Sequence, residues 1–181
     1  MRTSETSLLR YARVAGFTFL FYIVSGITSM ALGDQVKMTD LLTLLQSFSA
    51  LVLGVTLFAI TYQQGPVLAL LALTCRVAEA VQYGESAIYF SVGSLLFSWL
   101  LLRGQLIPVA LAQLGVLASA LLVVILPLQL IGWLGGSMSW ASSVTWLVWL
   151  PMLLFEVALA LWLIIKGVNI EQSEKHTFES V

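Results

Sequence analysis

Six long apolar stretches, broken by short polar turns, make up the pattern along this chain. They run from about Val14 to Leu32, Leu41 to Tyr62, Pro66 to Tyr83, Ala87 to Leu102, Val109 to Ile131 and Val144 to Lys166. Apolar runs of about 17 to 25 residues are long enough to cross a hydrocarbon core of roughly 30 Å as helices. The pattern therefore predicts an all-α protein, a polytopic transmembrane helical bundle of six helices over residues 1–168, followed by a polar cytoplasmic tail at 169–181. The fourth stretch is the weakest, because it is short and follows the tight break YGES; if it re-entered the membrane, the C-terminus would change sides.

The breaks fit a compact bundle. QQG joins the second and third stretches and RGQLIP the fourth and fifth, and connections so short force antiparallel neighbours. On the other side lie GDQVKMTD, YGES and GWLGGSMSWASS, none large enough for a soluble domain, while the tail NIEQSEKHTFESV is polar. The basic residues at the N-terminus precede a long apolar run with further membrane segments directly after it, so the first stretch reads as a retained helix and not a cleaved signal.

Charge sets the expected orientation. With the N-terminus in the cytoplasm, Arg2, Arg10, Arg13, Arg103, Lys166 and Lys175 fall inside and Lys37 falls outside. That is a clear positive-inside bias, and it places both termini in the cytoplasm of a multi-pass inner (plasma) membrane protein. Composition agrees: 60% of the 181 residues are hydrophobic, 9% are charged and mean hydropathy is +1.00, more apolar surface than a soluble domain of this size can bury.

A net charge of −1 with no basic patch argues against a nucleic-acid partner. The single cysteine, Cys75, lies in an apolar run and reads as a small packing residue, and the single histidine, His176, lies in the tail. Neither a histidine base nor a metal cluster is available within the membrane, and Ser86, Ser91, Ser94 and Ser98 have no base partner beyond a glutamate. We expect no enzyme, no cofactor and no metal; the expected partner is the lipid bilayer, with a small molecule, lipid or ion as the possible ligand.

Against this background three charges stand out. Arg76 lies about ten residues into the third stretch, near the bilayer midplane at a rise of about 1.5 Å per residue. Glu79 is one turn further out on the same helix face, a spacing that permits a local pair. Glu156 lies at similar half depth in the sixth stretch, so a cluster of Arg76, Glu79 and Glu156 across the bundle is geometrically allowed. Insertion scales charge about 2.5 to 3.5 kcal/mol for an arginine or aspartate at a helix centre, so such groups should face the interior and share hydrogen bonds.

Two readings remain open for the cluster. It is either a salt-bridge network that fixes helix register or a ligand or ion site, since intramembrane ionisable groups mark substrate and proton pathways. One positive and two negative charges leave a carboxylate in excess, to be balanced by a proton, a cation or a cationic ligand. Gln82 and Tyr83, one turn beyond Glu79, would extend a polar lane outward, with Glu85 a cap residue or a mouth residue. Pro151, five residues before Glu156, should loosen the sixth helix and turn a free carbonyl towards the cluster.

Trp133, Trp140 and Trp146 at the outer ends and Trp99 and Trp162 at the inner ends read as interfacial anchors. Ala50 to Gly54 and Gly115 to Ser119 put small residues on one helix face and predict close packing.

The segments ARVAGFTFLFYIVSGI, RVAEA, LLLRGQLIPVALAQLGVL and PMLLFEVALALWLIIKGV together resemble the bacterial membrane family known as domain of unknown function 4386. The resemblance covers most of the chain in scattered blocks, the last being the most specific. It implies an integral membrane protein of unknown function, names no substrate, and puts recurrent polar positions at Arg13, Arg76, Glu79, Glu156 and Lys166. This chain departs from the pattern in its short segment after RVAEA and in Val109 after Pro108, where a basic residue is common.

Overall fold

The computed structural model describes residues 2–32, 36–82, 86–133 and 143–169. Every element among them is helical: α1 (Arg2–Leu32), α2 (Val36–Thr61), a 3-10 turn (Tyr62–Gln64), α3 (Pro66–Val81), α4 (Ser86–Arg103), α5 (Val109–Leu130) and α6 (Ser143–Ile165). Two helices start earlier than their apolar runs. α1 extends back through RTSETSLLRYAR and α2 through VKMTD, because neither segment holds a glycine or proline to stop the backbone hydrogen bonds.

Five helices, all but α3, are long and apolar enough to cross a membrane. The short element is thus not the fourth, as the sequence pattern suggests, but the third. α4 keeps 18 residues, about 27 Å of helix, whereas α3 has 16, about 24 Å. Its bounds are local: Pro66 opens it, supplying no N–H and a fixed φ, and Gln82 leaves it in an extended conformation.

Each helix packs against its neighbours in the chain, and α6 closes the ring against α1. α3 and α6 therefore stand on opposite sides of the bundle. Large apolar side chains such as Phe17, Val67 and Leu117 point outward from several helices. That is the arrangement of a protein whose solvent is lipid. Gly16 lets α1 and α6 approach, since a Cβ there would lie 2.7 Å from the Ala160 carbonyl oxygen.

The end holding the α2–α3 and α4–α5 turns is closed and largely apolar. Leu57, Ile60, Phe97, Leu101, Leu163 and the turn residues Leu106 and Ile107 fill it. The Asn169 N–H donates to the Leu106 carbonyl at 2.9 Å, tying the chain after α6 to that turn. α4 ends in a paired-bond C-cap, with the Leu106 N–H on the Leu101 carbonyl and the Gln105 N–H on that of Leu102. Gln105 takes the left-handed position at φ 47° that such caps usually give to glycine. The cations Arg10, Arg13, Arg103 and Lys166 gather at this end and Lys37 stands at the other, the distribution the loop charges predict.

Candidate functional site

The site is assembled around α3. A Cβ on Gly54 of α2 would lie 2.9 Å from the Arg76 Cβ, and one on Gly93 of α4 would lie 3.1 Å from the Cys75 Cβ. Two glycines thus let α2 and α4 close on α3 from either side, leaving Arg76 only 1% exposed. Gly54 belongs to the small-residue face legible in the sequence, and Cys75 is the buried packing residue expected there.

The Arg76 guanidinium is almost fully occupied. Its Nη1 donates to Glu79 Oε2 at 2.8 Å and its Nη2 to Ser94 Oγ at 3.1 Å, while Cζ lies 4.8 Å from the centre of the Phe90 ring. The other Glu79 oxygen, Oε1, accepts from the Tyr22 hydroxyl at 2.9 Å. One charge-assisted network therefore links α1, α3 and α4, and both Glu79 oxygens have donors. Among the described residues Arg76 Nε is the guanidinium atom without a partner.

Glu156 is different. It is 6% exposed and its Oε1 is buried with no hydrogen-bond partner among the described residues. Arg76 gives its short ionic contact to Glu79, and no ion pair between Arg76 and Glu156 forms among the described residues. The two meet at the same depth, as the sequence suggests, but the carboxylate one turn away on α3 holds the arginine first.

Glu79 and Glu156 both line a cavity of about 440 Å³. Glu156 and Glu79 stand deep in its wall with Tyr22. Phe90, Trp146 and Trp149 supply aromatic surface, and Ile23, Ile27, Leu150 and Leu153 supply aliphatic surface. The lining residues come from the C-terminal parts of α1 and α3 and the N-terminal parts of α2, α4 and α6, so the cavity runs towards the end of the bundle opposite the basic residues. Phe90 and Trp149 pack with ring centres 5.6 Å apart. The Gln46 side chain rests on the backbone of Gly26, where a Cβ would lie 2.7 Å from its Nε2. A smaller cavity of about 110 Å³, bordered by Thr43, Ser47 and Gln82, shares Tyr22, Gln46, Glu79 and Ser86 with the first.

The remaining expected positions separate. Gln82 is exposed and borders the smaller cavity. Tyr83 and Glu85 lie outside the described residues. Pro151 lies inside α6, but the carbonyl it frees is that of Leu147, whose side chain is 72% exposed. The loosened turn is on the outer face of α6 and not on the cavity face, which corrects the expectation that its carbonyl would meet the cluster. Arg13 and Lys166 are exposed at the basic end, away from the cavity.

Sequence reasoning missed Tyr22, Phe90, Thr145 and Trp149 and gave Ser94 no role in the network. Tyr22 carries a signal, a hydroxyl at mid-depth of an apolar run, where a buried phenol usually needs a partner. Ser91, Ser94 and Ser98 mark one polar stripe of α4. Among the described residues no group of histidine, cysteine and carboxylate side chains can hold a metal.

Fold and site together define a multi-pass helical membrane protein with a carboxylate-bearing cavity lined by its helices. The model of the family described as Domain of unknown function (DUF4386) matches residues 82–167, the family that the sequence resembles. The match takes in α4, α5 and Glu156 on α6, and it begins just after Arg76 and Glu79. No curated protein and no solved structure matches the chain.

Proposed function

We propose that the 440 Å³ cavity binds, and in a transport cycle would pass on, a small molecule, lipid or ion, with Glu156 as its charged contact. The observation that carries this reading is Glu156 itself, a residue of the cavity lining whose buried Oε1 has no hydrogen-bond partner among the described residues. A buried carboxylate left bare in a membrane interior costs several kcal/mol unless a proton, a cation or a ligand meets it. The cavity is also within the roughly 300 to 1,000 Å³ of small-molecule pockets, and it has their composition, apolar and aromatic with few polar groups.

A structural role accounts for the other two charges. Arg76 and Glu79 satisfy each other, with Tyr22 and Ser94 completing the network, and the whole ties α1, α3 and α4 together. Such a network fixes helix packing without any ligand. It gives no partner to Glu156.

Cysteine accessibility tests the reading. In a Cys75→Ala background, Leu153→Cys puts a thiol on the cavity wall one turn before Glu156, and Leu122→Cys puts one at a fully buried core position. In purified protein, a water-soluble methanethiosulfonate should modify position 153 much faster than position 122. At least one member of a panel of lipids, organic cations and inorganic ions should slow it. Equal, slow modification of both would describe a dry, sealed bundle and end the proposal.

A further inference from the structure

Resting on that reading, we infer that the ligand is an organic cation: an ammonium group carried on an apolar or aromatic body, with the ammonium seated against Glu156. The charges facing the cavity decide the sign. Among the described residues the carboxylates that line it are Glu79 and Glu156, and no lysine or arginine does. Arg76 is close in space but does not line the cavity, and its guanidinium is stacked on the Phe90 ring that does. Glu79 is already neutralised by that guanidinium and holds the Tyr22 hydroxyl as well. One carboxyl group with no partner among the described residues therefore stands in a lining whose other acid is already paired.

The walls decide between an inorganic and an organic cation. A small metal ion needs about six oxygen ligands to replace its water. Of the oxygens in the wall, both of Glu79 accept from Arg76 and Tyr22, and the lining side chains of Leu153, Trp149 and Phe90 carry none. An alkylated ammonium is weakly hydrated, so the same apolar walls suit its body and the aromatic faces suit its charge. Thr145 adds one polar point at the far end. It is 3% exposed, its Oγ1 has no partner among the described residues, and it lies about 16 Å from Glu156 along α6.

The ammonium can be that of a free amine or of a choline lipid headgroup, and the test separates them. Binding to the purified protein in a neutral detergent is measured by calorimetry for four probes. These are benzyltrimethylammonium, its carbon isostere neopentylbenzene, the anion phenylacetate, and dihexanoyl phosphatidylcholine. We expect the benzyl cation to bind at least about tenfold more tightly than the neutral and anionic probes, a margin of about 1.4 kcal/mol. Glu156→Gln should erase that margin, and Glu156→Asp, which keeps the charge, should retain most of it. Tighter binding of the phosphatidylcholine, with the same dependence on Glu156, would support the inference and assign the ammonium to a lipid.

Equal or tighter binding of neopentylbenzene or phenylacetate would overturn the cation assignment while leaving the cavity a binding site. Absence of binding by every probe up to about 1 mM, with no protection of Leu153→Cys, would overturn both. Glu156→Gln protein that fails to fold would leave Glu156→Asp and the wild-type comparison of cation with isostere to decide.

Discussion

Replacing Arg76 with methionine is expected to cost about 3 to 5 kcal/mol of stability, the range for removing one partner of a buried ion pair. Methionine fills similar space, so the loss would come from electrostatics and not from a void. It strands Glu79 Oε2, which loses its charged donor at 2.8 Å, and removes the donor to Ser94 Oγ at 3.1 Å. The Tyr22 hydroxyl remains, but one neutral donor does not compensate a buried carboxylate. Ser94→Ala, which deletes a single contact of the same guanidinium, should cost only about 1 kcal/mol. Denaturation in mixed micelles would rank the two variants. An Arg76→Met protein as stable as Ser94→Ala would mean that Glu79 does not depend on the arginine.

The second large effect is expected at Gly54, which bears no chemistry. A Cβ there already lies 2.9 Å from the Arg76 Cβ and 3.1 Å from Leu73 Cδ1, and the arginine Cβ is fixed to the α3 backbone. Gly54→Leu must therefore push α2 from α3, at about 1 to 3 kcal/mol or more for overpacking. The displacement would also draw Arg76 away from Glu79 and Ser94. Val55→Leu, on the exposed face of the same helix, should be close to neutral. Equal melting of the two variants would contradict the close approach of α2 and α3.

Much of this bundle was legible in the sequence, and the reasons are specific. Apolar runs of membrane length between short polar breaks mark six helices, and the three-residue spacing of Arg76 and Glu79 gives the ion pair directly. Half depth places Glu156 at the right level. It does not say which carboxylate wins the arginine, and the nearer one, on the same helix, does. Tyr22 was hidden because its role depends on α1 lying within reach of α3, a matter of ring order that apolar periodicity does not encode. Pro151 is near Glu156 along the chain, but five residues on an α-helix turn it to the outer face of α6. The cavity was invisible for a more general reason: it is the space that Trp149, Leu150 and Leu153 of α6 leave between themselves and α1, and no residue type spells out unfilled volume.

The account divides the three membrane charges into a structural pair and a free carboxylate, and thermal melting in detergent tests that division most directly. Wild-type protein is compared with a variant in which Arg76, Glu79 and Glu156 become Met, Gln and Gln, each across a series of candidate lipids, organic cations and inorganic ions. A ligand at about 100 times its Kd stabilises the state that binds it by about 2.7 kcal/mol, enough to move a melting temperature. The account predicts that the triple variant folds, because no buried charge is left unpaired, and that organic cations raise the melting temperature of the wild type alone. A wild type that responds to none of these compounds, matched throughout by the triple variant, would contradict it and leave all three charges as structural.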